Sequence, residues 1–270
     1  MYVAEVDNMR KVALGLVLTF AGLLLFIAGV FAYISAKDGK TALMWAINLS
    51  ENPKVIEAFV KFGADVNAKD NKGRTVLMKA AHYSENPLII ETLIKNGADI
   101  NAKDREGCTS LMWAVNLNEN QTITDTLIKY GADVNEKDNE GRTVLMWAAF
   151  NNQNPAVTET LIKHEADINA KDKDGRTALM CAAHRNENPA VMETLIKYGA
   201  DVNIGDDKGI TALMWAIFGQ KNKNTEILIS SGADVKAKDS DGKTALDYAK
   251  ENPKIYNTET YKHLEELMSK

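Results

Sequence analysis

Cysteine and histidine are scarce in this chain, and positive charges are fewer than negative ones. These shortages exclude several classes of protein. The 270 residues include two cysteines, Cys108 and Cys181, too few for a disulfide framework. The formal net charge is −5, so the chain lacks the basic surface that binds nucleic-acid phosphates. The remaining composition, 45% apolar and 26% charged, is typical of a folded protein.

A repeat of 34 residues is the dominant feature of the sequence. A turn glycine recurs at five intervals of 34 residues and a last one of 33: Gly39, Gly73, Gly107, Gly141, Gly175, Gly209 and Gly242. Seven copies with so strict a period predict a solenoid, in which each unit buries its apolar face against its neighbours. Such proteins act through long surfaces rather than deep pockets.

Each repeat predicts two short antiparallel helices followed by an extended turn. In the copy over 172–203, Thr177 is placed to cap a first helix over 178–183. Asn188 and Pro189 provide the N-cap and first residue of a second helix that runs to residue 198. Gly199 follows as the left-handed residue that ends this helix.

Two stretches of each repeat carry a family resemblance. The pattern D-x-x-G-x-T-A-L-M-W-A-A, followed by V-x-E-x-L-I-K-x-G-A-D-V-N-A-K, resembles the ankyrin repeat, and bacterial ankyrin arrays in particular. The family's T-P-L-H is T-A-L-M here, and the N-x-N-P loop between the helices is one residue longer. The resemblance implies an all-α ankyrin solenoid that covers residues 36–270. It also implies scaffolding or inhibition through protein–protein contact.

The expected organisation is a tail, one membrane helix and a repeat domain. The tail covers residues 1–11, the transmembrane helix 12–34 and the repeat domain 36–270. The repeats are expected at about 36–69, 70–103, 104–137, 138–171, 172–205, 206–238 and 239–270. The last repeat replaces Met-Trp by Asp247 and Tyr248 and ends in a charged helix over 259–270, which suits the cap of an open stack.

Residues 12–34 form an uncharged run of 23 residues. As a helix this run spans about 35 Å, enough to cross a hydrocarbon core of about 30 Å. Because the apolar core of a cleavable signal is normally about 7–15 residues long, an uncleaved anchor is favoured. The alternative is cleavage after Ala32 or Ala36, which would release a secreted repeat protein.

The orientation of this anchor is not fixed by its flanking charges. Arg10 and Lys11 precede the run and Lys37 and Lys40 follow it, so the count of positive charges is tied. A short basic tail before the anchor favours a cytoplasmic amino terminus. The repeats would then lie on the extracytoplasmic, periplasmic side of the membrane.

Three glycines lie on one face of the predicted membrane helix. Gly15, Gly22 and Gly29 recur every seven residues. They either allow close packing and self-association in lipid or reflect the ordinary glycine content of membrane helices. The second interpretation is favoured.

One repeat position forms a mostly aromatic row: Trp45, Lys79, Trp113, Trp147, Cys181 and Trp215. The resemblance implies that this position lies on the first helix, near the concave surface that partners use. The tryptophans are either binding anchors, since tryptophan is over-represented at hot spots, or a packed row that stiffens the groove. Their regular recurrence favours stiffening. Lys79 and Cys181 interrupt the row.

Residues that change from copy to copy are stronger candidates for partner specificity. They are expected directly after the first helix, and the tips of the turns vary as well, through either partner contact or drift on a solvated edge. The predicted partner-binding residues of the concave face are Trp45, Lys79, Tyr83, Trp113, Trp147, Phe150, Arg185, Trp215 and Phe218.

No catalytic residue, metal site or cofactor is predicted. His82 and His184 share a repeat position but stand three units apart, about 30 Å. The two cysteines occupy different repeat positions, so both are predicted to be free thiols. The turns over 172–175 and 239–242 lack the closing glutamate of a calcium loop, and their aspartates are predicted to bond their own backbone.

The sequence therefore predicts a membrane-tethered binding protein, not an enzyme, whose concave groove holds another protein. The rival hypothesis is a structural spacer or envelope component without a dedicated partner. One local irregularity is also predicted. Glu165 stands where other repeats end the second helix with glycine, which forces a non-glycine residue into a left-handed conformation.

Overall fold

The computed structural model describes residues 41–270, and this part of the chain is built from helices arranged in pairs. The first helices of the pairs are α1 (Ala42–Leu49), α3 (Val76–Tyr83), α5 (Ser110–Leu117), α7 (Val144–Asn151), α9 (Ala178–Arg185), α11 (Ala212–Phe218) and α13 (Ala245–Glu251). The second helices are α2 (Pro53–Lys61), α4 (Pro87–Lys95), α6 (Gln121–Lys129), α8 (Pro155–Lys163), α10 (Pro189–Lys197), α12 (Asn222–Ser230) and α14 (Glu259–Ser269).

The pairs stack in chain order. Each first helix contacts the first helix of the next pair, and each second helix contacts the next second helix. Among residues 41–270 there are no strands, and β-structure is limited to isolated bridges such as Lys137 with Thr143. The predicted all-α solenoid is confirmed for this part of the chain.

The helix ends follow the predicted capping residues. The Thr177 hydroxyl accepts a hydrogen bond from the Met180 amide at 3.5 Å, and the Asn188 side chain accepts one from the Ala190 amide at 3.1 Å. Pro189 opens the second helix, where the missing N–H costs nothing. Gly199 has φ +96° and closes it, as predicted.

The first helix is longer than predicted. It ends at Arg185 rather than at residue 183. Its C-cap is Asn186, whose side chain is hydrogen-bonded to the preceding repeat. Asn186 Nδ2 donates to the carbonyl oxygens of Ala149 and Asn152 at 2.9 and 2.8 Å. His184 and Arg185 are therefore helical, and the residues expected after the first helix lie on its last turn.

The same arrangement forms a buried asparagine row, which consists of Asn118, Asn152 and Asn186. Each side chain caps the free carbonyls at the end of the preceding first helix, where helical partners are missing. A second asparagine two residues later, such as Asn188, donates to the preceding repeat as well, to the Gln153 carbonyl oxygen at 2.7 Å. Both asparagines of the N-x-N-P loop therefore join neighbouring repeats.

The core runs without a break along the stack. The first helices from α1 to α11 each contribute a leucine and a methionine, such as Leu145 and Met146, that are almost completely buried. Alanines at the end of the same helix, Ala148 and Ala149, are fully buried, and their small size lets the neighbouring helix approach closely.

The turns form ladders of their own along one edge. In repeat 5, Asp172 Oδ1 accepts hydrogen bonds from the amides of Asp174 and Arg176, at 3.0 and 2.8 Å. Asp239 bonds its turn in the same way, as predicted for both loops. Between turns, the Lys103 ammonium donates to the Lys137 carbonyl oxygen at 3.1 Å, across 34 residues.

No helix within residues 41–270 has the length and apolar character needed to cross a membrane. The predicted membrane helix over 12–34 and its glycines lie outside the described residues. So does the amino-terminal tail. At the other end, α14 stops at Ser269, with Lys270 as its C-cap.

Glu165 has the predicted left-handed backbone, with φ +66°. The equivalent residues of other repeats are glycines with φ between +89° and +96°, namely Gly63, Gly97, Gly131, Gly199 and Gly232. Replacing Glu165 by glycine is expected to raise the free energy of unfolding by about 1 kcal/mol, because glycine adopts this conformation without strain.

Urea denaturation of the full chain measures this effect. The matched control is Gly131→Glu, which places glutamate at the equivalent position of repeat 3, where a Cβ atom would meet nothing within 4 Å. This variant should lose about as much stability as Glu165→Gly gains. A lower or unchanged stability of Glu165→Gly would contradict the assignment of Glu165 to the left-handed position that ends the second helix.

Candidate partner-binding surface

All nine predicted site residues lie on first helices. Trp45 is on α1, Lys79 and Tyr83 on α3, Trp113 on α5, Trp147 and Phe150 on α7, Arg185 on α9, and Trp215 and Phe218 on α11. The first helices contact one another in order, and the surface along this row of helices is here named the first-helix face.

Three tryptophans of the aromatic row are each fixed by a turn aspartate nine residues earlier. The indole N–H of Trp113 donates to Asp104 Oδ2 at 3.0 Å, and that of Trp147 donates to Asp138 Oδ2 at 3.1 Å. Trp215 bonds Asp206 in the same way at 3.2 Å. The rings are half-buried, so they are held in place before any partner arrives.

The two interruptions of the row differ from each other. Lys79 is 6% exposed and forms an ion pair with Asp70 at 3.5 Å, so it keeps the aspartate contact but has little surface for a partner. Cys181 follows Asp172 by the same nine residues but is far smaller than an indole. The constant aspartate spacing is visible in the sequence, and sequence reasoning missed it.

The two histidines at the shared repeat position contact the tryptophan of the following repeat. The ring centroids of His82 and Trp113 are 5.3 Å apart in a T-shaped, edge-to-face pair, and those of His184 and Trp215 are stacked at 5.0 Å. Burial, and then the nearby Arg185 charge, lower the pKa of His184 from its ordinary value near 6.5. His184 is therefore a neutral aromatic ring at pH 7.

A pocket of about 340 Å³ opens on the first-helix face where Cys181 replaces tryptophan. We name it the Cys181 pocket. Its apolar lining comes from Met146, Met180, Cys181, Trp147, Trp215 and Phe150, and the other lining residues are His184, Asp172, Arg142, Arg176 and Arg185. Four of the nine predicted residues, Trp147, Phe150, Arg185 and Trp215, are thus brought together around one cavity.

Two of the three pocket arginines are already paired. Arg142 Nε contacts Asp138 Oδ2 at 2.7 Å, and its guanidinium lies 4.3 Å from the centre of the Trp147 ring. Arg176 pairs with Asp172 and Asp174 at 2.9 and 2.8 Å. Asp138 and Asp172 thereby hold Arg142 and Arg176 against the pocket.

Arg185 differs from the other two arginines. Its guanidinium lies 5.3 Å from the centre of the Phe150 ring, and its side chain is exposed. It has no ion pair with any carboxylate in residues 41–270. The pocket therefore has one cation available for a charged group of a ligand.

Cys181 itself is not a reactive group. Burial, and then the neighbouring Asp172 carboxylate, raise the pKa of its thiol to about 12. Since the thiolate is the nucleophile and metal ligand, the neutral Cys181 thiol is unreactive at neutral pH. Both cysteines are free, as predicted. Residues 41–270 contain no cluster of histidine, cysteine or acidic side chains fit to hold a metal ion.

Two predicted residues extend the surface beyond the pocket. Tyr83 is 61% exposed on α3, and Phe218 is 37% exposed on α11. Phe218 joins the rings of Trp215 and Tyr248, at centroid distances of 5.6 and 4.6 Å. Exposed aromatic side chains on ordered neighbours are typical of partner-binding surfaces.

Stacked helix pairs with an aromatic first-helix face define a helical repeat solenoid. A family model described as ankyrin repeats (3 copies) matches overlapping stretches at 17–104, 83–172, 111–206, 153–239 and 183–264. The chain belongs to the ankyrin-repeat family. A search of curated proteins finds no match. Ankyrin repeats are generally protein–protein interaction modules and are typically not enzymes.

Proposed function

We propose that this protein is a membrane-tethered binding protein that holds a partner protein on its first-helix face and at the tips of its turns. The observation that carries the proposal is the gathering of Trp147, Phe150, Arg185 and Trp215 around one pocket. The aromatic rings next to it are fixed by aspartates and by neighbouring rings. Such preorganised aromatic groups lose little conformational freedom on binding.

The membrane tether is the second part of the proposal. It rests on the uncharged run over 12–34, with the repeats on the extracytoplasmic side. Protease treatment of spheroplasts, whose outer membrane is removed and whose inner membrane is intact, tests it: the repeats should be degraded from outside, and the protein should stay in the membrane fraction after alkaline extraction. Release by alkali would contradict the tether, and repeats protected until the spheroplasts are lysed would contradict this orientation.

Replacing Tyr83, Phe150 and Phe218 together by alanine is expected to weaken partner binding by at least about tenfold, because aromatic anchors carry most interface energy. The helices should form as before, since none of the three belongs to the buried core. Affinity capture from detergent extracts with quantitative mass spectrometry gives the readout, and circular dichroism checks the fold.

The control removes three large exposed hydrophobic side chains away from the first helices. Phe62, Leu88 and Tyr256 are 69%, 54% and 48% exposed, and their replacement by alanine should leave capture unchanged. Equal capture by both triple variants would instead favour the structural spacer. A spacer has no dedicated partner on the first-helix face.

A further inference from the structure

We propose that the Cys181 pocket is the specificity site of the first-helix face. It accepts one apolar side chain from an extended segment of the partner protein, and an aspartate or glutamate next to that side chain pairs with Arg185. This inference rests on the proposed function, because it names the chemistry of the partner segment that the first-helix face recognises.

The pocket opens where a small residue takes the place of the tryptophan. In repeat 4, the Asp138 carboxylate accepts hydrogen bonds from both the Arg142 guanidinium and the Trp147 indole. In repeat 5, the Asp172 carboxylate accepts the equivalent hydrogen bond from Arg176, but Cys181 stands in place of the indole. The cavity of about 340 Å³ therefore includes the space that an indole fills in the neighbouring repeats.

The lining favours an apolar occupant. Met146 and Met180 are 1% and 2% exposed, so nearly all of their surface is buried and only a small part faces the cavity. Two tryptophans, from the repeats before and after, also line it. Its volume lies at the lower end of the range for ligand sites, which suits one large side chain. Leucine, methionine and phenylalanine are therefore suitable occupants.

The charges favour an acidic neighbour beside that occupant. The three lining arginines outnumber the one lining carboxylate, in a chain whose net charge is −5. Asp138, Asp172 and Asp174 already engage Arg142 and Arg176. Arg185 is the remaining exposed cation, and a carboxylate of the partner would form charge-assisted hydrogen bonds with it. His184 adds no charge at pH 7.

The test uses a random peptide display library selected against the full chain in detergent. Selected peptides are expected to share an apolar residue with aspartate or glutamate within two positions of it. The Cys181→Trp variant should bind these peptides at least about tenfold more weakly, since the indole fills the cavity.

Cys181→Trp is a well-controlled variant because the chain supplies its template. Trp147 already occupies this position in repeat 4, and Asp172 offers the same acceptor, so the variant should melt at the same or a higher temperature than the parent. Cys181→Ser is the matched control: it keeps the cavity and removes the thiol, and it should retain peptide binding within about twofold.

Arg185→Glu tests the charge preference. The acidic peptides should bind about tenfold more weakly to it, and versions with lysine in place of the acid should bind more tightly than to the parent. No enrichment of peptides, equal binding to Cys181→Trp, or basic residues beside the apolar one would overturn the inference. A further outcome is that the selected peptides bind Cys181→Trp as tightly as the parent but bind the triple alanine variant more weakly. That result would overturn this inference and leave the proposed function standing.

Discussion

Replacing Asn152 by alanine is expected to lower the free energy of unfolding by about 2–4 kcal/mol. The side chain is completely buried between α5 and α7. Its Nδ2 donates to the carbonyl oxygens of Val115 and Asn118 at 2.9 and 3.1 Å, and its Oδ1 accepts from the Asn154 amide at 2.9 Å. Alanine would leave these groups without partners, and each buried unsatisfied group costs about 1–3 kcal/mol.

Urea denaturation measures this loss, and a second asparagine provides the control. Asn101 also joins two repeats, through the Gly131 carbonyl oxygen at 3.3 Å and the Asp133 amide at 3.1 Å, but its side chain is exposed. Water replaces its lost bonds, so Asn101→Ala should cost less than about 1 kcal/mol. Equal losses at the two positions would show that burial of the asparagine row does not stabilise the stack.

The second large effect is expected at Gly219, where α11 meets the preceding repeat. A Cβ atom at this position would lie 2.1 Å from the His184 carbonyl oxygen and 2.9 Å from its carbonyl carbon, both backbone atoms. Because backbone yields less than a side chain, Gly219→Ala is expected to lower the free energy of unfolding by about 2–4 kcal/mol. Thermal and urea denaturation of the full chain give the value.

This cost is steric rather than conformational. Gly219 has φ −73°, which alanine adopts without strain. Gly63 is the opposite case: its φ is +90°, and a Cβ atom there would meet nothing within 4 Å. Gly63→Ala should therefore cost about 1 kcal/mol through backbone strain alone. A Gly219→Ala variant that is no less stable than Gly63→Ala would mean that α11 can move away from His184.

Local signals in the sequence were sufficient for the helices and their starts. Thr177, Asn188 and Gly199 cap the elements as predicted, and the left-handed Glu165 follows from a missing glycine. The end of the first helix was predicted two residues short. It depends on Asn186, whose partners lie 34 and 37 residues earlier, and no pattern within one repeat reveals such bonds.

The candidate site was predicted only in part. Trp147, Phe150, Arg185 and Trp215 were named from the aromatic row and from copy-to-copy variation, and they do line the pocket. The paired arginines, Arg142 and Arg176, were missed because they belong to the turn motif and read as ordinary solvated charge. The cavity itself was missed because the sequence shows Cys181 as an interruption, whereas its effect is the empty volume left between neighbouring repeats.

The hydrogen bonds that lysine side chains donate from one turn to the next span a constant number of residues, and this spacing has a consequence for the gene. Lys103, Lys137 and Lys171 each donate to a carbonyl oxygen 34 residues ahead. An unequal crossover that adds or deletes one such segment leaves every donor opposite an equivalent acceptor. The array can therefore lengthen or shorten by whole units without a new junction having to evolve.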